Sequence, residues 1–255
     1  WLKTDWLLKI GALLLILALG WFVRYAFINN WIGPVGRITL GIVAGALIML
    51  FGHWQIPKRS MAGQVLAVTG GVMILLTVFA ARNLYDFFTP SSALGIMFFV
   101  VIAMAIIAIV RQAKGLAVLA LLGGAVVPLL TNAHLPNYSA LLSYVFILDV
   151  GALVVTAMRG WRVLIFLALF ITGVYSVMTF DRLSEGTVWI FMALFFGLFF
   201  ISNVAVLLRT RKATTADLLT AGMNGLLLLY WINEFVPREW ASLLLSGLVV
   251  LMIAV

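Results

Sequence analysis

Residues 92–110 read SALGIMFFVVIAMAIIAIV, an apolar stretch without a charged residue. About 20 consecutive apolar residues are enough to cross the hydrocarbon core of a membrane as an α-helix. The rest of the chain has the same character, because 65% of its 255 residues are hydrophobic and only 9% are charged. Soluble domains are about half apolar and about a quarter charged, so these values exclude a soluble protein. The chain is therefore predicted to be an integral membrane protein.

Comparable apolar stretches recur along the whole chain, separated by short polar connections. Hydrocarbon requires backbone groups to be bonded within each segment, so each stretch is predicted to be a helix. We predict an all-α polytopic transmembrane helical bundle of about ten spans, a single transmembrane region over residues 1–255 without a soluble domain. Because the chain lacks an initial methionine and stops inside an apolar run, we expect it to be an excerpt of a longer protein. The predicted spans are 10–28, 38–53, 61–81, 92–110, 115–130, 139–158, 162–180, 187–208, 215–232 and 240–255.

Basic residues concentrate on one side of the predicted membrane. Eleven Lys and Arg fall on the side of the first residues and five on the other side, where five acidic residues offset them. Cytoplasmic connections carry an excess of Lys and Arg, so we expect the start of the chain to be cytoplasmic. The excess is spread over short turns and forms no basic face, which argues against nucleic-acid binding. The eleven are Lys3, Lys9, Lys58, Arg59, Arg111, Lys114, Arg159, Arg162, Arg209, Arg211 and Lys212.

A glycine recurs at a similar depth in every odd-numbered span. Each lies 10 to 12 residues after the last basic residue, which is about 15–18 Å along a helix and close to the bilayer centre. The pattern favours five repeated helical hairpins of about 50 residues. The constant thickness of the bilayer is an alternative cause of the same spacing. The glycines are Gly20, Gly71, Gly124, Gly173 and Gly222.

Three short motifs, at residues 31–37, 63–67 and 122–130, carry a resemblance to a known family. They read WIGPVGR, GQVLA and LGGAVVPLL. Together they resemble a bacterial family of predicted polytopic inner-membrane proteins of unknown function, whose members are usually longer than this chain. The resemblance implies a multi-pass protein of the bacterial inner membrane, and it implies no catalytic residues.

Asp149 is an acidic residue deep inside a predicted span, the sixth, at 139–158. It precedes Arg159 by ten residues, which places it about 15 Å from the nearer membrane surface. A central Asp costs about 2.5–3.5 kcal/mol to insert, so such residues usually face the bundle interior or water. Asp149 is therefore predicted to be a proton, cation or substrate site that lines a polar cavity. The alternative is a structural Asp that is protonated or bonded to a neighbouring side chain or carbonyl.

The candidate polar membrane site also includes residues of the fifth, eighth and ninth spans. Pro128 removes a helix hydrogen bond to residue 124, so a kink or break is predicted there. Gly- and Pro-interrupted spans indicate binding sites in transporters, although glycines also serve helix packing. The same packing role is predicted for Gly41 and Gly45. For Asn203 and Asn224, hydrogen bonding between helices is the alternative to a functional site. The further candidates are Gly123, Gly124, Pro128, Asn203 and Asn224.

Arginines on the side opposite the basic excess are candidate anion contacts. Arg24, Arg37 and Arg82 could hold a phosphate or carboxylate of a lipid or polymer. The alternative is that these side chains extend to the interface beside a belt of tryptophans.

The sequence gives no indication of a metal, a cofactor or a catalytic centre. Cysteine is absent, and His53 and His134 fall on opposite sides of the predicted membrane. The common zinc sites are therefore excluded, and no cofactor is expected. Nucleotide-binding and hydrolase motifs are missing, and the short connections leave no loop for catalytic residues. The sequence thus favours a protein that is not an enzyme.

Two functions fit this sequence. The first is a transporter-like or flippase-like protein that handles an envelope lipid or an anionic solute. The second is a membrane scaffold or a subunit of an envelope complex, with membrane lipids, envelope proteins or a second copy as partners. A solvent-reachable cavity around Asp149 and Gly124 would favour transport. A dry bundle with an apolar groove on its flank would favour scaffolding.

Overall fold

The computed structural model describes residues 32–130, 138–210, 215–237 and 239–240, with the single residues 14, 21, 25, 242 and 246. These ranges hold eight α-helices and a 3₁₀ turn, Phe180–Arg182, and they hold no strand, which confirms the all-α class. The helices are α1 (Pro34–Gln55), α2 (Ser60–Asn83), α3 (Pro90–Arg111), α4 (Lys114–Leu130), α5 (Tyr138–Arg159), α6 (Val163–Thr179), α7 (Glu185–Thr210) and α8 (Thr215–Phe235).

Six of these helices are long and apolar enough to cross a membrane. They are α1, α2, α3, α5, α6 together with the 3₁₀ turn, and α7 over Glu185–Ala205. Helix α4 is apolar but shorter, at 17 residues. Apart from residues 14, 21, 25, 240, 242 and 246, the predicted spans at 10–28 and 240–255 lie outside the described residues, as do Gly20, Arg24 and His134. A multi-pass membrane protein is therefore confirmed, and the count of ten spans stays a prediction.

Local signals in the sequence set the ends of the central helices. Helix α3 begins with Pro90, and the Thr89 hydroxyl caps it by accepting a hydrogen bond from the Ser92 N–H at 3.3 Å. Proline suits the first helical position because its missing N–H would have no partner there. The same helix stops at Gln112, which takes a left-handed conformation with φ 55°. Gly160, with φ 72°, likewise takes a left-handed conformation directly after the end of α5.

Helices α1 and α2 pack more closely than any other described pair. A Cβ atom on Gly45 would lie 2.9 Å from the Gly70 carbonyl oxygen, and one on Gly52 would lie 2.8 Å from that of Gly63. In each helix the two glycines are seven residues apart, so they share one face of the helix. Glycine allows the two backbones to touch, as it does in membrane helix pairs generally. We call these four residues the glycine contact.

The predicted packing glycines of α1 lie on this interface. A Cβ on Gly41 would come within 2.5 Å of the Thr77 hydroxyl, and one on Gly45 within 2.7 Å of Ile74. The Gly41-x-x-x-Gly45 pair therefore faces α2, as its spacing predicts.

The closest helix pairs of the described chain, α1–α2, α3–α4 and α5–α6, are joined by short turns at one end of the bundle. We call this the basic end, because those turns and their flanks carry the cations Lys58, Arg59, Arg111, Lys114, Arg159 and Arg162.

The glycines predicted to repeat have different surroundings in the structure. Gly71 and Gly124 are tightly packed, whereas Gly222 has no atom within 4 Å of the position that a Cβ would take. The five repeated hairpins therefore stay a prediction.

The core lies between helices α2 to α8. Trp231 and Phe180, both with about 1% or less of their surface exposed, pack with ring centroids 5.4 Å apart. Phe195 is fully buried and contacts Phe146 edge-on at 5.8 Å. Most exposed side chains elsewhere on the described helices are large and apolar, as lipid requires.

Candidate functional site

Asp149 lies on α5 in the interior of the bundle, with 0% of its surface exposed. The Thr172 hydroxyl on α6 donates a hydrogen bond to Asp149 Oδ2 at 2.5 Å. The other carboxyl oxygen, Oδ1, is buried and has no hydrogen-bond partner among the described residues. The side chain therefore points into protein rather than into a cavity reachable from solvent. Its environment resembles the structural alternative more than the predicted polar cavity.

Helix α6 carries a row of buried polar residues, Thr172, Ser176 and Thr179, which we call the α6 polar stripe. Their spacings of four and three residues place them on one face of the helix. Ser176 accepts a hydrogen bond from the Trp231 indole N–H at 3.0 Å, and Thr179 donates to the Tyr175 carbonyl at 2.7 Å. Sequence reasoning missed this stripe, although the spacing was a usable signal.

The glycine- and proline-containing part of α4 continues as a helix through Pro128 and ends at Leu130. Pro128 has no N–H, so the Gly124 carbonyl loses its helix donor. The Tyr144 hydroxyl of α5 donates to this carbonyl at 2.8 Å, and the Tyr175 hydroxyl donates to the Ala125 carbonyl at 2.6 Å. Two tyrosines on neighbouring helices thus supply hydrogen-bond donors where the proline interrupts the backbone hydrogen bonds of α4. This satisfaction by neighbours is what a proline inside a membrane helix requires.

Replacing Tyr144 with phenylalanine is expected to lower the free energy of unfolding by about 1–3 kcal/mol, because a buried carbonyl loses its donor. In a Pro128→Ala background the residue at 128 again donates to Gly124, so the same substitution should cost less than about 1 kcal/mol. Unfolding in mixed micelles measures the four members of this double-mutant cycle. Tyr230→Phe, on a partly exposed tyrosine, is the control. Equal losses in both backgrounds would contradict the assignment.

The remaining members of the predicted polar site do not join Asp149. Asn224 on α8 is buried, and its amide donates to the Phe196 carbonyl of α7 at 3.4 Å. Asn203 lies half-buried on α7, and Gly123 has only the Leu75 side chain near its methyl position, at 3.7 Å. Within the described ranges, neither asparagine is hydrogen-bonded to Asp149. The predicted site thus divides into separate helix–helix contacts.

The described arginines at the opposite end of the bundle contact protein groups. Arg37 Nε donates to the Ile32 carbonyl at 2.8 Å, and its Nη1 donates to the Tyr85 hydroxyl at 3.2 Å. Arg82 Nη1 donates to the Phe88 carbonyl at 3.2 Å. Arg37 and Tyr85 also line a cleft of about 620 Å³ between α1 and α2. The cleft leads to Arg37, and the anion contact at this arginine stays a prediction.

At the basic end, His53 of α1 contacts Arg111 of α3. Arg111 Nε donates to His53 Nδ1 at 3.4 Å, and the Arg111 Nη2 and His53 Nε2 atoms are 2.9 Å apart. This pair joins two helices that are not consecutive in the chain. In the part of the chain that the structure describes, no three acidic or histidine side chains lie close enough together to hold a metal ion.

An apolar groove of about 260 Å³ runs along the flank of the bundle. Its walls come from α3 and α5, its floor from α4, and one residue of α6 closes it towards the basic end. Every residue that lines it is apolar. We call it the flank groove; it includes Phe98, Ala105, Ile109, Ala117, Gly151, Val155 and Leu164.

These features define a multi-pass helical membrane protein with a buried acid and an apolar groove on its flank. A family model described as a predicted membrane protein (DUF2339) matches residues 3–255, and the chain belongs to this family. The function of the family is unknown, in agreement with the resemblance seen in the sequence motifs. No curated protein and no solved structure matches the chain.

Proposed function

We propose that this region is a membrane scaffold rather than a transporter. The observation that carries the proposal is the position of Asp149, which is fully buried and bonded to Thr172. Gly124 is buried as well, and a methyl group there would lie 2.7 Å from Leu148. Among the described residues, these two positions leave no room for a solute beside them. The apolar opening of this part of the bundle is instead on its flank.

The close contacts between helices also support a rigid scaffold. The glycine contact brings the backbones of α1 and α2 so close together that neither helix has room for a side chain there. Tyr144 and Tyr175 tie α5 and α6 to the backbone of α4. Alternating access requires groups of helices to rock against each other. Direct backbone and hydroxyl-to-carbonyl contacts oppose such movement.

Transport of an envelope lipid or anionic solute is the second candidate. One observation favours it: Asp149 Oδ1 is buried without a hydrogen-bond partner among the described residues. Buried polar atoms without a partner are uncommon and often mark a functional group. In this second reading, another conformation would expose the carboxyl group to water.

Reconstituted liposomes separate the two candidates. With a fluorescent phospholipid in both leaflets and an impermeant reductant outside, a scaffold is expected to leave the inner-leaflet fluorescence intact. A pH-sensitive dye inside the liposomes should likewise report no proton flux that depends on the protein. Lipid scrambling or proton flux that disappears in Asp149→Asn, while the variant remains folded, would contradict the scaffold and support transport.

The same substitution has an expected result in cells. If the region is a scaffold, Asp149→Asn should restore the phenotype of a deletion strain as well as the unaltered gene does, because asparagine can still accept the bond from Thr172. Gly52→Leu, which disrupts the glycine contact, should fail to restore it. Membrane levels of both variants, measured by immunoblot, are the control for loss of the protein.

A further inference from the structure

A pair of side chains, His53 and Arg111, links the basic end of α1 to α3. His53 lies in the last turn of α1, Arg111 is the last residue of α3, and both side chains are half-buried. Apart from α2, no described helix packs closely on α1. The end of α1 is therefore joined to α3 largely through these two side chains.

The contact between the two side chains requires a neutral imidazole. A guanidinium only donates hydrogen bonds, and a neutral imidazole has one nitrogen that accepts them. Arg111 Nη2 lies 2.9 Å from His53 Nε2, and Arg111 Nε lies 3.4 Å from His53 Nδ1. In an imidazolium both nitrogens carry a hydrogen, so no acceptor is left, whichever nitrogen accepted before. Protonation of His53 thus replaces a hydrogen bond with two like charges in contact.

The other titratable groups at the basic end of α1 to α4 are all cations. The nearest acidic residue that the structure describes in this part of the chain is Asp86, at the opposite end of the bundle, and the next along the chain is Asp149 on α5. One of the cations, Lys58, lies with Nζ 4.0 Å from the centroid of the Trp54 ring. No described carboxylate is therefore placed to stabilise an imidazolium beside Arg111. The cations are Lys58, Arg59, Arg111 and Lys114.

We propose that His53 and Arg111 form a pH-sensitive latch between α1 and α3. At neutral pH the imidazole accepts a hydrogen bond from the guanidinium, and the latch is closed. An imidazole without such neighbours takes up a proton at about pH 6.5, so acidification on the side of the basic end opens the latch. Gly52, directly before His53, keeps α1 on α2. Opening therefore moves the basic end of the α1–α2 hairpin away from α3.

The latch goes beyond the scaffold proposal and does not rest on it, since a transporter could carry the same device. In a scaffold, it would change the shape of the basic end when the pH falls.

Unfolding in mixed micelles at pH 8 and pH 5 tests the latch. The unaltered protein is expected to lose stability at pH 5, because the unfolded chain takes up a proton on His53 that the closed latch excludes. Loss of a hydrogen bond to a charged group corresponds to a change of about tenfold to hundredfold in the unfolding equilibrium. His53→Gln keeps an acceptor but takes up no proton, so this part of the pH dependence should disappear. His134→Gln, which removes the other histidine of the chain, is the matched control and should keep it.

Removing the arginine tests the other half of the latch. Arg111→Gln keeps a donor for His53 but removes the positive charge, so protonation of His53 is no longer opposed. The pH dependence should therefore decrease, as it does in His53→Gln. Arg159→Gln removes a cation of the basic end on α5, and its pH dependence should match that of the unaltered protein.

Spin labels measure the movement itself. The chain has no cysteine, so Trp54→Cys and Val110→Cys, at two exposed positions next to the pair, take up labels at these sites alone. Double electron–electron resonance should show a longer mean distance between the labels at pH 5 than at pH 8. With His53→Gln in the same labelled chain, the distance should be the same at both pH values.

Two results would overturn the proposal. If the unaltered protein, compared with His53→Gln, kept or gained stability at pH 5, the folded chain would accommodate the imidazolium, as an acid outside the described residues such as Asp5 would allow. If the label distance in the unaltered background were the same at both pH values, the pair would not control the position of α1.

Discussion

Replacing Gly52 with leucine is expected to lower the free energy of unfolding by at least about 3 kcal/mol, the upper part of the range for overpacked sites. The new Cβ would press on the Ala67 backbone nitrogen and lie 2.8 Å from the Gly63 carbonyl oxygen. These neighbours are backbone atoms, so no change of rotamer can make room. Helix α1 would have to separate from α2 along much of its length. Unfolding in mixed micelles, with increasing anionic detergent, measures the loss.

Gly197→Leu is the matched control for this substitution. It makes the same chemical change inside a helix, but no atom lies within 4 Å of the methyl position. Leucine is a better helix former than glycine, so stability should stay constant or increase by up to about 1 kcal/mol. A similar loss at both positions would show that the glycine contact is not what holds α1 and α2 together.

Truncation of Trp231 to alanine is expected to cost about 3–5 kcal/mol, the usual range for a large aromatic side chain in a core. Trp231 is fully buried, packs on Phe180 at 5.4 Å and donates its indole N–H to Ser176. The substitution therefore leaves a cavity between α6 and α8 and removes a hydrogen bond. The same titration in mixed micelles reports the effect.

Two variants separate the causes of this loss. Ser176→Ala removes the acceptor and keeps the ring, so it should cost about 1–3 kcal/mol. Trp54→Ala changes a tryptophan that is 59% exposed and should cost much less than Trp231→Ala. If Trp54→Ala proved as costly as Trp231→Ala, the central position of Trp231 would not explain its effect.

Most of the fold was predictable because hydrocarbon allows few backbone arrangements. Each described helix overlaps a predicted span, for example α3 at Pro90–Arg111 against the predicted 92–110. The closest pairing of helices was less accessible to sequence reasoning. Glycines at similar depths have different neighbours in the structure, because the bilayer sets their depth whereas packing sets their contacts. Gly41 and Gly45 could be assigned to a packing face, but their partner helix could not be named.

The candidate site was predictable in its residues more than in its arrangement. Asp149 stood out because an acid in an apolar span is costly, yet the sequence could not name Thr172 as its donor. Pro128 signalled a carbonyl without its helix donor. That Tyr144 and Tyr175 would supply hydroxyls to this region depends on how α5 and α6 pack against α4. Such pairings between distant residues require the tertiary structure.

The two-residue turn between α3 and α4 has a consequence for biogenesis. Gln112 and Ala113 reverse the chain directly from Arg111 to Lys114, both of them charged. A connection this short cannot let one helix wait outside the lipid while the other is already embedded. The two segments should therefore leave the translocon as one unit after the ribosome has synthesised both. Lengthening this turn with a flexible insert would be the way to uncouple their insertion.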